Sequence, residues 1–393
     1  VPAVFPAAEH LSERSVPPGS RVVTRGAALT FIDAAIALTE GRGGTFTPDA
    51  ERPGRLTYER SGVEPAVIQP LSRHGLLLDA KPDPGDLPAD ITAVLEEGRG
   101  RVRGLRPTAQ DTAASPADVL AEVATTAARL LVVTTGADTD AAHAACVAVL
   151  IAGVEEDVPV GRGHAAEALA RSIDVADGRR PPGPAWALGR AWQQLYAQVT
   201  AALRGCDAPI EEWAGFRAAA AVLERFAFGP PLVNARKLLA LIDAGLVDLS
   251  LLDAGAHLDA DGLHPAPPAD TAPDIVIDAV IAPPGLVGTG SPLAADLLTS
   301  GLVHLRPGRR GAMVDADATA VGPDGKRTEH LALIGRPTED DVIGHDTLNR
   351  HLHTEIPAWA ARLAARLSAH PVSEAPTDEP SPVLPIAVPE GSA

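Results

Sequence analysis

The apolar positions of this chain change their period several times, and the changes mark its elements. Arg21-Val22-Val23-Thr24 is a short strand-like run, and beyond Gly26 the apolar positions from Leu29 to Leu38 fall on a helical period. Together they predict one βα unit. Shorter β-like pieces follow, Arg55-Leu56-Thr57-Tyr58 and, more weakly, Leu76-Leu77-Leu78. Turn signals at Pro53-Gly54, Ser61-Gly62 and Asp83-Pro84-Gly85 separate them. From residue 111 the pattern becomes helical. Ser115 reads as an N-cap with Pro116 at the first helical position, and apolar residues recur at Leu120, Val123, Ala127 and Leu130. Ala185 to Leu203, Ile210 to Phe228 and Asn234 to Leu241 read as further helices, with Gly245 placed as a C-cap residue. Trp186, Trp192, Tyr196, Trp213 and Phe216 recur at helical spacing, as core residues do.

Beyond residue 271 strand character returns. Ile275 to Ile281 is an almost continuous apolar run that predicts a buried parallel strand, and Leu331-Ala332-Leu333-Ile334-Gly335 predicts a second. Thr347 to Leu367 reads as helical, with Pro357 as a kink or restart. The division expected is 1–110, 111–270 and 271–365, then a disordered Pro-rich tail over 366–393.

Composition narrows the functional classes. Hydrophobic residues are 46% of the 393, but aromatic residues only 3%, so Ala, Val and Leu must fill the cores. The formal charge of −18 argues against a nucleic-acid partner, which needs a local surplus of Lys and Arg. No apolar run is long enough to span a membrane, and the start is not basic-then-apolar. A soluble, cytoplasmic protein is expected, with Cys146 and Cys206 as idle thiols.

The strongest chemical signal is Val22-Val23-Thr24-Arg25-Gly26-Ala27-Ala28-Leu29-Thr30-Phe31-Ile32-Asp33. A strand, a glycine turn and a helix start present a positive helix end to a pyrophosphate. Gly26 takes the place of the first glycine, but Ala28 stands where a second would let phosphate approach the backbone. The alternative is a strand-to-helix junction with no ligand.

This run, with Leu38-Thr39-Glu40-Gly41-Arg42-Gly43-Gly44 after it, resembles the second nucleotide-binding segment of bacterial FAD/NAD(P)-binding proteins of flavin monooxygenase and amine N-hydroxylase-like architecture. Phe228 to Pro231 through Leu238 to Leu246, Asp274 to Val280, and Ile334 to Glu339 with Gly344 to Leu348 extend the resemblance over about residues 15–365. It implies an α/β fold: a Rossmann-like nucleotide-binding domain, a largely helical insertion, and the carboxy-terminal part of a second, FAD-type α/β domain. Gly26, Ala28, Thr30 and Asp33 would then face NAD(P)H, and Gly335, Arg336, Pro337, Thr338, His345 and Asp346 would lie beside FAD. The family's first, amino-terminal FAD-binding βαβ unit has no counterpart before Arg21, so the resemblance implies that a partner chain supplies the FAD pyrophosphate site, or that the chain is a fragment, or that the remnant is repacked. The reading that follows is an oxidoreductase that uses NAD(P)H to reduce flavin and acts on a small molecule. Arg336 is the candidate electrostatic residue, with a structural salt bridge as the alternative. A non-catalytic nucleotide-fold subunit or degenerate fragment is the competing reading.

Other constellations carry less. Arg129 to Asp140 reads either as a strand with a phosphate- or metal-holding loop, or as a strand-to-helix turn capped by Asp138 or Thr139. Gly288-Thr289-Gly290-Ser291-Pro292 lacks the nucleophile-elbow spacing and suits an N-cap at Ser291. His345, Asp346, His351 and His353 do not place three metal ligands on one helix face; His345 or Asn349 would instead contact flavin or substrate. Glu155-Glu156-Asp157 reads as a solvated helix end, and Arg42 and Arg55 as candidates for a 2′-phosphate.

Overall fold

The computed structural model describes residues 1–72, 75–81, 85, 87–105, 114–155, 164–259, 261–266, 271–344 and 352–369. It is a mixed α/β protein around a parallel sheet. After a short helix, α1 (Ala7–His10), β1 (Arg21–Arg25) runs through the middle of that sheet, with Val22, Val23 and Thr24 fully buried. β-Branched side chains suit a strand packed on both faces. The helix α2 (Leu29–Ala37) and an antiparallel hairpin, β2 (Thr45–Pro48) and β3 (Leu56–Glu59), lead to β4 (Val67–Leu71). β4 pairs parallel with one side of β1, and β7 (Ile275–Asp278) pairs parallel with the other. Single parallel bridges extend both edges, Ile68 to Val247 and Asp278 to Ala3. The spatial order is thus Val247, β4, β1, β7, Ala3.

Between β4 and β7 the chain is mostly helix: α3 (Ala89–Gly104), α4 (Pro116–Thr135), α5 (Thr139–Ala152), α6 (Ala165–Ala176), α7 (Pro184–Leu203), α8 (Ile210–Ala227), α9 (Leu232–Asp243) and the short α10 (Ser250–Asp253). A hairpin, β5 (His257–Asp259) and β6 (Gly262–His264), precedes β7. α3, α4, α5, α7 and α8 share one core in which Trp192 and Trp213 are buried, while α2, α6 and α9 pack against the sheet. Trp192, Trp213 and Phe216 are core, as their spacing implies, and Trp186 and Tyr196 pack half-buried against it. Cys146 and Cys206 are free and buried, and burial pushes the Cys146 thiol up to about 12.

The helix starts follow local chemistry. Ser115 accepts a hydrogen bond from Asp118 N at 3.0 Å, Asp138 accepts from Asp140 N and Ala141 N, and Ser291 caps α11 (Pro292–Thr299). Arg129 to Thr135 is helix, not strand: α4 runs on to Gly136, whose φ of 72° ends it. The β-branched residues Val132, Val133, Thr134 and Thr135 belong to a helix whose buried face is fixed by packing. No strand forms at Leu76 to Leu78.

The carboxy-terminal segments differ most from expectation. Leu331 to Gly335 is not a buried parallel strand. β9 (Arg327–Ala332) pairs antiparallel with β8 (Thr319–Val321), and Ile334 is exposed. With α11 these strands enclose a small separate core around Leu286, Val303, Ala312 and Ala320. β7 ends at Asp278, so Val280 and Ile281 leave the sheet and are exposed. Pro357 lies in the first turn of α12 (Glu355–Ala369), where its missing N–H costs nothing. The expected helical stretch from Thr347 to His351 and the tail beyond Ala369 lie outside the described residues. No helix among the described residues is long and apolar enough to cross a membrane.

Candidate functional site

Because β1, β4 and β7 run parallel, their carboxyl ends share one edge of the sheet, and a cavity of 630 Å³ opens there. Arg25 and Gly26 from the end of β1, Leu71 and Ser72 from the end of β4, Val280 beyond β7, and His257 from β5 all line it. Gly26 holds φ at +106°, and a Cβ there would lie 2.9 Å from Val280 Cγ2 and 3.1 Å from Ala279 O. The glycine therefore lets the two strand ends close on each other. Gly26 N donates to Leu71 O at 3.1 Å, and Thr24 Oγ1 donates to Gly26 O at 3.1 Å, which fixes the turn.

α2 begins directly after this turn. Its N-cap is Ala28, exposed and lining the cavity, and no side chain caps the helix. The first-turn N–H groups thus carry their partial positive charge without a side-chain acceptor. Beside them Arg25 and Asp278 form an ion pair, with Arg25 Nε 2.9 Å from Asp278 Oδ1. Burial raises the Asp278 carboxyl, but the hydrogen bonds from Arg25 and from Val280 N outweigh it and hold the group below its usual range.

A second, smaller pocket of 70 Å³ adjoins the first, and Leu76 and Arg225 line both. It lies between the loop after β4, α6, the start of α7 and the end of α8. Glu155 is buried here: it accepts from Ala185 N at 2.9 Å, capping α7, and from Arg171 at 3.0 Å. A Cβ on Gly183 would sit 2.3 Å from its Oε1, so a side chain there would displace the carboxylate. Glu155 is therefore a buried structural carboxylate rather than a solvated helix end. Asp79 lies 3.4 Å from Arg225 Nη1, yet burial pushes its carboxyl up to about 6, Arg225 opposing and Glu155 reinforcing the shift. Arg225 also donates to Gly153 O. Arg190 stacks its guanidinium 5.7 Å from the Trp186 ring, and desolvation alone lowers its pKa.

The residues proposed from sequence are distributed unevenly over this geometry. Gly26 and Ala28 line the strand-end cavity; Thr30 is half-buried on α2 and Asp33 exposed, and neither is among the lining residues. Gly335 to Thr338 lie elsewhere, in a 3₁₀ turn packed against residues 282–286 and 310–312. There Arg336 donates to Ala282 O and accepts at its own carbonyl from Gly285 N, Pro337 O accepts from Ala312 N, and Thr338 Oγ1 donates to Gly335 O. One residue separates Val280 in the cavity from Ala282, which accepts from Arg336 of this turn. His345, Asp346, Asn349 and His351 lie outside the described residues. His353 is buried and bonds Gly344 O at 2.9 Å. Among the described residues no group of three His, Cys, Asp or Glu side chains is arranged to hold a metal.

Arg42 and Arg55 are occupied within the fold. Arg42 donates to the carbonyls of Leu11, Val16 and Val63 at 2.7–3.1 Å, and Arg55 grips Asp174 through two bonds at 2.8 and 2.9 Å. Sequence reasoning passed over Asp79, Arg171, Arg190 and Arg225, which stand on separate elements and share no motif. The one local signal was Arg190 four residues after Trp186, a stacking pair on a helix face. No protein-family model matches the chain, and no curated protein matches it.

Proposed function

We infer that the chain binds a nicotinamide dinucleotide at the strand-end cavity and belongs to the oxidoreductase-type nucleotide-binding α/β proteins. One observation carries this reading: an uncapped helix start opens, behind a glycine turn, into a cavity at the carboxyl ends of three parallel strands. Sheet order supports it. From β1 the chain places β4 and then Val247 on one side, and β7 on the other, so the order reverses beside β1. Ligands of doubly wound sheets bind at such a reversal. On this reading the N-terminus of α2 holds the pyrophosphate, Gly26 shapes the approach, and the Arg25–Asp278 pair borders the cavity. Ala28 narrows the cradle by one methyl without closing it, since it is exposed. The bound nicotinamide would supply hydride chemistry, and the protein orientation and exclusion of water. A flavin beside Gly335 to Thr338 would meet a turn in which Arg336 donates to Ala282 O and Thr338 Oγ1 donates to Gly335 O.

A non-catalytic nucleotide-fold scaffold is the second reading. The approach of Val280 and Ala279 to Gly26 favours it, since strand packing alone requires that glycine. Titration of the purified chain with NADH and NADPH, followed by nicotinamide fluorescence, separates the two. Saturable binding that is lost in Ala28→Glu, which sets a carboxylate at the helix start, is the expected outcome. No binding to the wild-type chain leaves the scaffold reading.

A further inference from the structure

At the amino ends of the strands, opposite the strand-end cavity, a cleft of 520 Å³ is lined by charge of both signs. Arg21 and Val67 begin β1 and β4 there, and Val247 extends the sheet beside β4. The backbone of Arg21 is fixed: its N–H donates to Asp274 Oδ2 at 2.8 Å, and its carbonyl accepts from Asp274 N at 2.9 Å. Its guanidinium makes no hydrogen bond or ion pair among the described residues, and Nε is shut off from solvent in that state. Asp253, the last residue of α10, is alike: its carboxylate accepts no hydrogen bond among the described residues, and Oδ1 is shut off from solvent. Asp248 in the same cleft is engaged, accepting from Gln69 Nε2, Ser250 N and Ser250 Oγ at 2.8–2.9 Å. A cation and an anion thus stand in one cleft, each partly removed from water and neither paired within the described residues. Partial burial of a charge is unfavourable until something pairs it.

We propose that this cleft binds a free amino acid with an apolar side chain, its carboxylate on Arg21 and its ammonium group on Asp253. The two charges set the class. A zwitterion pairs both groups at once, whereas a plain acid leaves Asp253 unpaired and a plain amine leaves Arg21 unpaired. With Nε shut away, the two Nη groups of Arg21 present parallel donors to a carboxylate. The second oxygen of Asp253 accepts from the ammonium group. Val67, Ile242, Val247 and Leu249 line the rest of the cleft and suit an apolar side chain. Small-ligand sites usually measure about 300–1,000 Å³, and 520 Å³ has room for a side chain of leucine's size. The assignment uses nothing of the strand-end cavity and holds whether or not that cavity takes a nucleotide.

Calorimetric titration of the full chain with L-leucine tests it, beside isocaproate, which lacks the ammonium group, isoamylamine, which lacks the carboxylate, and glycine, which lacks the side chain. Saturable leucine binding is expected, with each of the other three weaker by at least about tenfold. Two variants separate the contacts. Arg21→Met brings leucine down to the level of the amine without weakening the amine, and Asp253→Asn brings it down to the level of the acid without weakening the acid. A merely structural role would weaken every compound alike. Near-ultraviolet circular dichroism establishes that the variants keep the native packing; should either lose it, the other variant and the comparison of compounds on the wild-type chain decide. Absence of leucine binding, equal binding of the acid or the amine, or unchanged leucine binding in a folded variant overturns the proposal.

Discussion

Asp79 shows how one side chain reports its surroundings. Its side chain is 23% exposed, but the segment around it is closed so tightly that a Cβ on Gly229 would lie 1.8 Å from Asp79 O. Desolvation then outweighs Arg225, and Glu155 adds repulsion, so the carboxyl is pushed up to about 6. The native state therefore holds a proton that the unfolded chain releases, and stability falls as pH rises from about 4 to about 6. Carboxylates held near 2 act the other way. Burial raises Glu64, but the N–H groups of Ser61 and Gly62 and the Tyr58 hydroxyl bring it down to about 2, and its contribution is lost as pH falls below about 4.5. Comparison with Asp79→Asn isolates the single group. Urea midpoints at pH 4.5 and 7.5 are expected to favour the variant by about 1–2 kcal/mol more at the higher pH, a value reduced for partial exposure. Parallel profiles would mean that Asp79 titrates normally.

At the scale of elements, the features legible in the sequence are those set by neighbours in the chain. The caps at Ser115, Asp138 and Ser291 form as their residue types dictate, and β1, α2, α7, α8 and α9 start and stop within a few residues of the pattern. The failures share one cause: an apolar run does not say what it packs against. Leu331 to Ile334 looked like a central parallel strand, yet its hydrogen bonds go to the β8 hairpin. Val132 to Thr135 looked like a strand because β-branched residues prefer one, but the core of α3, α4, α5, α7 and α8 holds them in a helix. Because the caps are local, their cost on removal follows their geometry. Asp138→Ala, which releases two N–H groups, and Ser115→Ala, which releases one at 3.0 Å, are each expected to lower stability by about 1 kcal/mol. Ser291→Ala breaks a 3.4 Å bond outside the main cores and is expected to cost less. Urea denaturation that placed Ser291→Ala first in that order would show that cap geometry does not govern these helix starts.

Over the whole molecule, distant segments build both the sheet and the pocket. The sheet joins residues near 3, 23, 69, 247 and 276, and the arginine pocket draws on the loop after β4, α6, α7 and α8. No short motif encodes such an assembly, which is why the glycine turn of the strand-end cavity was legible and the arginine pocket was not. Glu155 sits where the two main cores meet. Its one carboxylate accepts from Arg171 on α6, which packs on the sheet, and from Ala185 N on α7, which belongs to the helical core. In sequence it was one of three consecutive acids, and nothing nearby marked it as buried. Glu155→Ala leaves the half-buried Arg171 guanidinium and a helix N–H without this acceptor, an effect of about 1–3 kcal/mol. Glu155→Gln keeps an acceptor oxygen but not the charge, and is expected to lose less. If the carboxylate couples the cores, Glu155→Ala also broadens or splits the denaturation transition seen by tryptophan fluorescence, which reports the helical core, against that seen by far-ultraviolet circular dichroism, which reports both. A single coincident transition at the wild-type midpoint would show that apolar packing alone holds the two cores together.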